Sequence, residues 1–365
     1  MKNHNNEKAI VLIPSLKPDR KLIAYVNELK KHGFMDVIIV DDGSGENYQP
    51  VFHELTMDGC IVLHHQANYG KGCALKTGFK YIQENYNRHG CVVTADSDGQ
   101  HAVTDVLRIL EMSKKNTNAL ILGVRDFNKS GIPVKSLVGN RIVSFVFALL
   151  YGRYLSDTQT GLRAFGMQLI EFMLDVKGER FEYEMKMLIA CVQADIPVHM
   201  LPIQVIYVNS NEGTHFKPVL DSIRIIGTIV SDFLRFSASS IFSAAVDLAI
   251  AWFLLDFLSI YFKSEYMKIL TATSVARVIS IGVNYMLNRT YVFKGKGADR
   301  QSLIRYLMLC VVIIILSATG VYILRTGFGI DEKIGKIICD SLLYLLSYQV
   351  QQRWVFKNMR RNKLQ

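Results

Sequence analysis

The chain has 365 residues, long enough for two domains, and carries a net charge of +10 at pH 7. Residues 231–365 hold 17 Lys and Arg against eight Asp and Glu, whereas residues 1–230 are nearly neutral. Because the basic excess belongs to the apolar half, we expect no nucleic-acid-binding surface. The six cysteines lack Cys-x-x-Cys spacing, which argues against a zinc site or a disulfide framework. The polar N-terminus predicts no signal peptide and a cytosolic first half.

The first half alternates apolar runs with helical patterns. Strands are predicted at 9–13, 37–40, 60–63, 91–94 and 119–123, and helices at 21–32, 71–86 and 106–112. This order predicts an α/β fold with a mostly parallel sheet. Ligands of such folds bind at the carboxyl ends of the strands.

Polar residues stand at those predicted strand ends. Asp96 and Asp98 follow the fourth strand, and Gln100 lies two residues further on. Carboxylate and amide oxygens are hard ligands that suit Mg²⁺ or Mn²⁺ carrying a diphosphate. The alternative is an exposed acidic turn. In the same way Asp41 begins an Asp-Asp-Gly-Ser element that could be only a turn and helix cap.

Seven motifs occur together in one order. They are Asp41-Asp42-Gly43-Ser44, Asn68-x-Gly70-Lys71-Gly72, Asp96-x-Asp98-x-Gln100, Gly123-x-Arg125, Asn140-Arg141, Asp157-x-x-Thr160-Gly161-x-Arg163 and Phe181-Glu182-x-Glu184. This order resembles glycosyltransferase family 2, in particular its polyprenyl-phosphate sugar transferases such as dolichyl-phosphate mannose synthase. The resemblance covers about residues 8–225 and implies a GT-A (Rossmann-like) nucleotide-sugar domain.

The resemblance also implies roles for individual residues. The residues expected to contact the donor and its nucleotide are Pro14, Ser15, Asp41, Asp42, Asn68, Lys71, Asp96 and Asp98. The residues expected to bind the metal, Mg²⁺ or Mn²⁺, are Asp96, Asp98 and Gln100. Arg125, Arg141 and Arg163 are expected to bind the acceptor phosphate, and Glu182 and Glu184 the sugar. Asp98, Arg125 and Arg141 are the predicted catalytic residues. Three alternatives stay open. Arg125 and Arg141 could be surface arginines, Arg163 could only brace its loop, and Glu182 and Glu184 could be ordinary helix-surface carboxylates.

The predicted acceptor bears on the mechanism. A phosphate monoester has its second pKa near 6, so at neutral pH it is largely dianionic. Such an acceptor needs no strong general base. It needs only positive charge to hold it in line with the anomeric carbon, and guanidinium groups supply that charge. The first strand ends in Pro14-Ser15-Leu16 where the family often has Pro-Ala-Tyr-Asn-Glu, so UDP and GDP both stay open. His215 or Lys217 could touch the diphosphate.

The second half predicts membrane helices. Four apolar stretches at 234–258, 267–290, 303–325 and 334–355 are long enough to cross a hydrocarbon core. Lys and Arg cluster in the middle loop and the tail, which places both termini in the cytosol. Residues 140–151, and secondly 216–236, predict helices at the lipid interface, with a buried core helix as the alternative for 140–151.

An internal repeat divides the membrane half into two hairpins. Tyr285-x₅-Tyr291-Val292-Phe293-Lys294 recurs 63 residues later as Tyr348-x₅-Trp354-Val355-Phe356-Lys357, which indicates parallel repeats about an axis along the membrane normal. This half resembles the GtrA-like family. The polar residues within spans are taken as structural pairs, with a transport path as the alternative; they are Asp247, Arg277, Asn284 and Asp340.

Four domains are therefore predicted: a GT-A domain at 1–215, an interfacial linker at 216–235, a GtrA-like domain at 236–358 and a basic tail at 359–365. We expect a plasma-membrane enzyme that transfers one sugar, with inversion, from a UDP- or GDP-linked donor to undecaprenyl or another polyprenyl phosphate. The alternatives are a processive polysaccharide synthase and a lipid-linked-sugar flippase. A homo-oligomer is left open.

Overall fold

The computed structural model describes residues 8–86, 90–125, 134–204, 218–293 and 300–356. The chain divides into two compact units, Met1–Ile229 and Val230–Gln365. His215, Lys217 and the predicted tail at 359–365 lie outside the described residues.

The first unit is built on a seven-stranded mixed sheet. Its strands are β1 (Lys8–Ser15), β2 (Asp36–Asp41), β3 (Ile61–His64), β4 (Gly90–Thr94), β5 (Leu120–Arg125), β6 (Arg163–Gly166) and β7 (Val198–Ile203). The spatial order is β3-β2-β1-β4-β6-β5-β7. All neighbours are parallel except β6, which runs antiparallel to both β4 and β5. The predicted α/β fold with a mostly parallel sheet is confirmed.

Helices cover both faces of this sheet. They are α1 (Arg20–Lys31), α2 (Gln49–Met57), α3 (Lys71–Asn85), α4 (Val103–Lys115), α5 (Val134–Tyr151), α6 (Ile170–Asp175) and α7 (Glu182–Gln193). Val11 and Val93 face the layer of α1, α2 and α4 and belong to the main apolar core. Leu12 points to the other face, where it packs against Gly78 of α3. Continuous burial of β1, from Ile10 to Ile13, fits a strand covered on both sides.

The antiparallel direction of β6 matters for the site. Because β4 and β5 are parallel, their carboxyl ends meet at one edge of the sheet, and β6 begins at that same edge between them. The loop that leads into β6 therefore lies between Asp96, which follows β4, and Arg125, which ends β5. Neither β6 nor β7 was predicted from the sequence.

The second unit is helical. Its helices are α8 (Pro218–Leu258), α9 (Glu265–Leu287), α10 (Arg300–Phe328) and α11 (Glu332–Val350). Within the described part of the chain, three helices are long and apolar enough to cross a membrane: Ile225–Leu258, Glu265–Val292 and Arg300–Phe328. The fourth predicted span, 334–355, forms α11 and the π-helical segment after it but is not among the three. The predicted linker and first span form one helix, α8.

The repeat is visible in the second unit. α9 and α11 each continue into a π-helical segment, Asn288–Val292 and Gln351–Val355. Equivalent residues of the two repeats contact each other, since Asn288 Nδ2 donates to Gln351 Oε1 at 3.0 Å and the rings of Phe293 and Phe356 stack at 4.9 Å. These contacts fit two hairpins that pair about a local axis.

Candidate active site

Lys71, Asp96 and Glu184 meet beyond the end of β4. Lys71 Nζ lies 2.7 Å from Asp96 Oδ1 and 3.0 Å from Glu184 Oε2. The other Asp96 oxygen, Oδ2, is 3.3 Å from His101 Nε2. Asp98, two residues after Asp96, accepts a hydrogen bond from the backbone N–H of Gln100 at 3.0 Å. The structure thus brings predicted donor and metal residues together with one predicted sugar-binding residue.

The charges of this cluster stabilise one another. Burial opposes ionisation of Asp96, but the Lys71 ammonium and then His101 outweigh it and hold the pKa of Asp96 well below its usual range. Burial likewise opposes the charged form of Lys71, yet Asp96 and Glu184 raise its pKa above the ordinary value. The pKa of Asp98 is raised by burial and by the neighbouring Asp96. Asp98 is thus the carboxylate that most lacks a compensating cation.

Gly161 is required for the position of Asp96. A Cβ at this glycine would lie 2.6 Å from Asp96 Cγ and still closer to both carboxylate oxygens. The Gly161 carbonyl also accepts a hydrogen bond from Thr94 Oγ1 at 2.9 Å. The loop before β6 therefore packs its bare backbone against the Asp96 carboxylate.

The residues present fit a divalent cation of the Mg²⁺ or Mn²⁺ type. Asp96, Asp98 and Gln100 offer only oxygen ligands, and the raised pKa of Asp98 marks negative charge that a cation would neutralise. No group of three His, Cys, Asp or Glu side chains is arranged as a full ligand set among the described residues. Such an ion would need oxygens from its substrate, as Mg²⁺ sites with phosphates commonly do.

Arg125 pairs with Asp157 at the neighbouring strand end. Its Nε and Nη2 lie 2.6 Å and 2.9 Å from the two Asp157 oxygens, and its backbone N–H donates to the same carboxylate at 3.2 Å. Asp157 is fully buried, while Arg125 keeps a quarter of its side chain exposed. The geometry fixes the guanidinium at the edge of the sheet that also carries Asp96.

The other two predicted acceptor arginines lie in different surroundings. Arg141 is exposed on α5, next to buried Asn140, whose Nδ2 donates to the Ser156 carbonyl at 2.6 Å. Arg163 is 1% exposed, and it donates to the carbonyls of Thr160 at 2.9 Å and Glu184 at 2.7 Å. These contacts join the start of β6 to the preceding loop, through Thr160, and to α7, through Glu184.

The predicted nucleotide residues form a second cluster, at the end of β2. Asp41 is buried and accepts from the Ser44 N–H at 2.8 Å and from His64 Nδ1 at 3.0 Å. Asp42 is buried too, and accepts from the N–H groups of Tyr69 and Gly70 at 3.0 Å and 2.8 Å. Asp42 therefore anchors the loop that begins at Asn68 and leads into Lys71.

Two residues on the adjacent β1 share this edge. The Ser15 carbonyl accepts from the Asp42 N–H at 2.8 Å, and Pro14 pairs with Val40 in the β1–β2 register. The buried Ser15 Oγ has no hydrogen-bond partner among the described residues. An orphaned hydroxyl at a strand end is a position where a ligand would supply the missing bond.

The two predicted sugar-binding glutamates differ. Glu184 is held by Lys71, as described above. Glu182 accepts from the N–H groups of Glu179 at 3.1 Å and Arg180 at 3.3 Å. Although burial opposes ionisation, these donors lower the pKa of Glu182. Glu182 is the first residue of α7, and its carboxylate therefore holds the backbone of the turn that precedes the helix.

Two histidines hold carboxylates of this site in place, and the sequence did not show which carboxylates they contact. His65 Nδ1 lies 2.8 Å from Asp42 Oδ1 and its Nε2 lies 2.9 Å from Thr77 Oγ1, so it ties β3 to α3 behind the nucleotide cluster. His101 is 8% exposed and contacts Asp96. The sequence signal for these roles was position: His65 directly follows β3, and His101 directly follows the acidic loop of Asp96 and Asp98.

Two family models match separate parts of the chain. Residues 12–174 match glycosyl transferase family 2, and residues 235–356 match the GtrA/DPMS transmembrane domain. The two matches fall on either side of the division between the compact units.

Two named glycosyltransferases are each similar to somewhat more than half of this chain. UDP-N-acetylglucosamine--dolichyl-phosphate N-acetylglucosaminyltransferase of Methanococcus voltae is 29% identical over 54% of this chain and 85% of its own length. Glycosyltransferase AglJ of Haloferax volcanii is 25% identical over 58% of this chain and 67% of its own. Among solved structures, glucosyl-3-phosphoglycerate synthase of Mycobacterium tuberculosis, in complex with Mn²⁺ and UDP, is 16% identical, with a TM-score of 0.46 over 62% of this chain and 79% of its own.

The GtrA/DPMS match and the three apolar helices make this a membrane protein. The resemblances to glycosyltransferase family 2 and to the GtrA-like family seen in the sequence are both confirmed. The chain is a glycosyltransferase that joins a family 2 transferase domain to a GtrA/DPMS transmembrane domain.

Proposed function

We propose that this protein transfers a single sugar from a nucleotide-sugar donor to a polyprenyl phosphate at the cytosolic face of a membrane, with inversion at the anomeric carbon. The observation that carries the proposal is the loop before β6. Within five residues, its Asp157 holds Arg125 and its Gly161 packs against Asp96. One loop therefore sets both the proposed donor residue and the proposed acceptor residue.

The donor side is assigned to the clusters at β2 and β4. Asp41 and Ser15 are proposed to face the nucleotide, and Asp96, Asp98 and Gln100 to hold Mg²⁺ or Mn²⁺ with the diphosphate. When bound, the cation supplies Lewis-acid stabilisation of the departing diphosphate. The protein's own part is to fix these side chains, and in this structure Lys71 and Gly161 fix the Asp96 carboxylate. We propose UDP rather than GDP as the nucleotide of the donor, because the Methanococcus voltae relative is named for a UDP-linked sugar.

The acceptor side is assigned to Arg125 and Arg141. An ionised phosphate monoester needs orientation by positive charge rather than a general base. We leave Arg163 out of the acceptor set because it is buried and donates to backbone carbonyls. Glu182 is likewise left out of the sugar site because its carboxylate accepts from the backbone N–H groups of Glu179 and Arg180.

The α5 helix supports a lipid acceptor. One of its faces is buried in the unit, through Val143 and Phe147, whereas a strip of large apolar side chains is exposed. Exposed Val138, Ile142, Phe145 and Leu149 are 48%, 50%, 65% and 38% accessible and share a helical face. Arg141 flanks this strip. Apolar residues beside an arginine suit a helix at the lipid headgroups, where the acceptor phosphate would lie.

The test is a reconstituted transfer assay. The full-length protein in detergent is incubated with a panel of UDP- and GDP-sugars, undecaprenyl phosphate and Mg²⁺ or Mn²⁺, and the lipid product is read by mass spectrometry. We expect one added sugar, loss of turnover on chelation, and loss of turnover in Asp98→Asn but not in the exposed control Asp58→Asn. A polymeric product, or full activity of Asp98→Asn, would contradict the proposal.

A further inference from the structure

Lys71 lies between two carboxylates at the heart of the donor site. Its Nζ contacts Asp96 Oδ1 and Glu184 Oε2, and the side chains of the three residues are 17%, 31% and 10% exposed. Resting on the proposed function, we propose that Lys71 is a positioning residue that occupies Asp96 while the donor is absent. It thereby makes the divalent cation and the nucleotide bind together instead of separately.

Competition for Asp96 is the first step of the reasoning. Oδ1 of this carboxylate receives the Lys71 ammonium and Oδ2 faces the His101 ring. A divalent cation that binds Asp96 must displace the ammonium from Oδ1 or remain beside a like charge, and both cost free energy. The cation alone is therefore bound weakly.

The nucleotide removes this cost. A diphosphate offers several anionic oxygens that accept charge-assisted hydrogen bonds from an ammonium group. Glu184 lies within reach of Lys71 as well, so the ammonium keeps one partner when it leaves Asp96. Binding of the cation and of the nucleotide therefore reinforce each other, and the coupling is the same whichever binds first.

Two simpler roles predict different results. If Lys71 only binds the diphosphate, its removal weakens nucleotide binding and leaves the affinity for the bare cation unchanged. If the Lys71–Asp96 pair only stabilises the fold, its removal lowers the unfolding temperature and leaves the site no better at binding the cation. Tighter binding of the bare cation is expected only from the competition proposed here.

The experiment measures Mn²⁺ binding to the full-length protein in detergent, by the electron paramagnetic resonance signal of free Mn²⁺, with and without UDP. We expect Lys71→Met to bind Mn²⁺ alone about tenfold or more tightly than wild type, since one charge-assisted hydrogen bond no longer competes. UDP should then improve Mn²⁺ affinity by a smaller factor than in wild type. Lys80→Met is the control, because Lys80 is on the same helix, exposed, and paired with Glu84.

A second variant guards against a folding defect. Lys71→Met leaves the buried Glu184 carboxylate without its cation, which could destabilise the fold. The double variant Lys71→Met/Glu184→Gln removes both charges. It should bind Mn²⁺ alone more tightly than the single variant Glu184→Gln does. If wild type binds Mn²⁺ with UDP but neither variant gains affinity for Mn²⁺ alone, the role of Lys71 is refuted and the metal site stands. If wild type with UDP takes up no Mn²⁺, both are refuted.

Discussion

Replacing Gly161 with alanine should disable the proposed donor site while the fold is retained. The new Cβ would lie 2.6 Å from Asp96 Cγ, and non-bonded carbons and oxygens are comfortable only from about 3.5 Å. Either the Asp96 carboxyl or the loop backbone must therefore move by about 1 Å. Asp96 cannot turn away freely because Lys71 and His101 hold its two oxygens, and Gly161 itself is held by Thr94.

The expected effect is larger on turnover than on stability. A misplacement of about 1 Å in a positioned group costs on the order of 100-fold in rate. Overpacking a well-filled site costs about 1–3 kcal/mol of folding free energy, which leaves the protein folded. Sugar transfer to undecaprenyl phosphate measures the first effect, and thermal unfolding in detergent measures the second.

Gly227→Ala is the matched control. Gly227 is a helical, exposed glycine, and a Cβ there meets no atom within 4 Å. The substitution should leave turnover unchanged and gain about 0.5–1 kcal/mol of stability. Wild-type turnover of Gly161→Ala, with the unfolding temperature unchanged, would show that the contact with Asp96 has no part in the reaction.

Three further predictions concern the acceptor, α7 and the membrane unit. Arg125→Lys, which keeps a positive charge for Asp157 but loses the bidentate geometry, should raise the KM for polyprenyl phosphate about tenfold with the donor KM unchanged; equal changes in both would argue against an acceptor role. Glu182→Ala should lower the free energy of unfolding by about 1 kcal/mol through loss of its hydrogen bonds to the backbone of the turn before α7, and a raised donor KM would instead restore its sugar-binding role. Asn288→Leu removes one hydrogen bond from each of Gln351 and Ser239 and should cost about 1 kcal/mol in detergent unfolding, less when combined with Gln351→Leu; additive losses would contradict the pairing of the repeats.

The sequence allowed the strand ends to be placed because parallel strands put their polar carboxyl-terminal residues on one edge. Asp41, Asp96 and Arg125 each follow or end a buried run and were predicted on that ground. The contact between Lys71 and Glu184 was not predictable, because the two residues are far apart in sequence and their meeting depends on how α3 and α7 pack. The antiparallel strand β6 was missed for a similar reason, since a buried four-residue strand has no periodicity of its own.

In the membrane half, two charged residues lie within one continuous helix. Asp232 and Arg235 lie where the predicted linker meets the first predicted span. In the structure they pair at 3.2 Å on successive turns of α8, so two charges are accommodated without a break in the helix. The repeat was readable because whole aromatic motifs recur, but the contact between equivalent Asn288 and Gln351 required the fold.

The loop before β6 also limits how variants of this enzyme can be interpreted. Asp157 holds Arg125, and Gly161, four residues later, contacts Asp96. A substitution at Asp157 leaves a buried position without its ion pair and shifts the same short segment that fixes Asp96. Its effect must therefore appear on donor and acceptor together. To separate the two substrates, a substitution should leave this loop unchanged, as at Arg125 on the acceptor side or at Asp98 on the donor side.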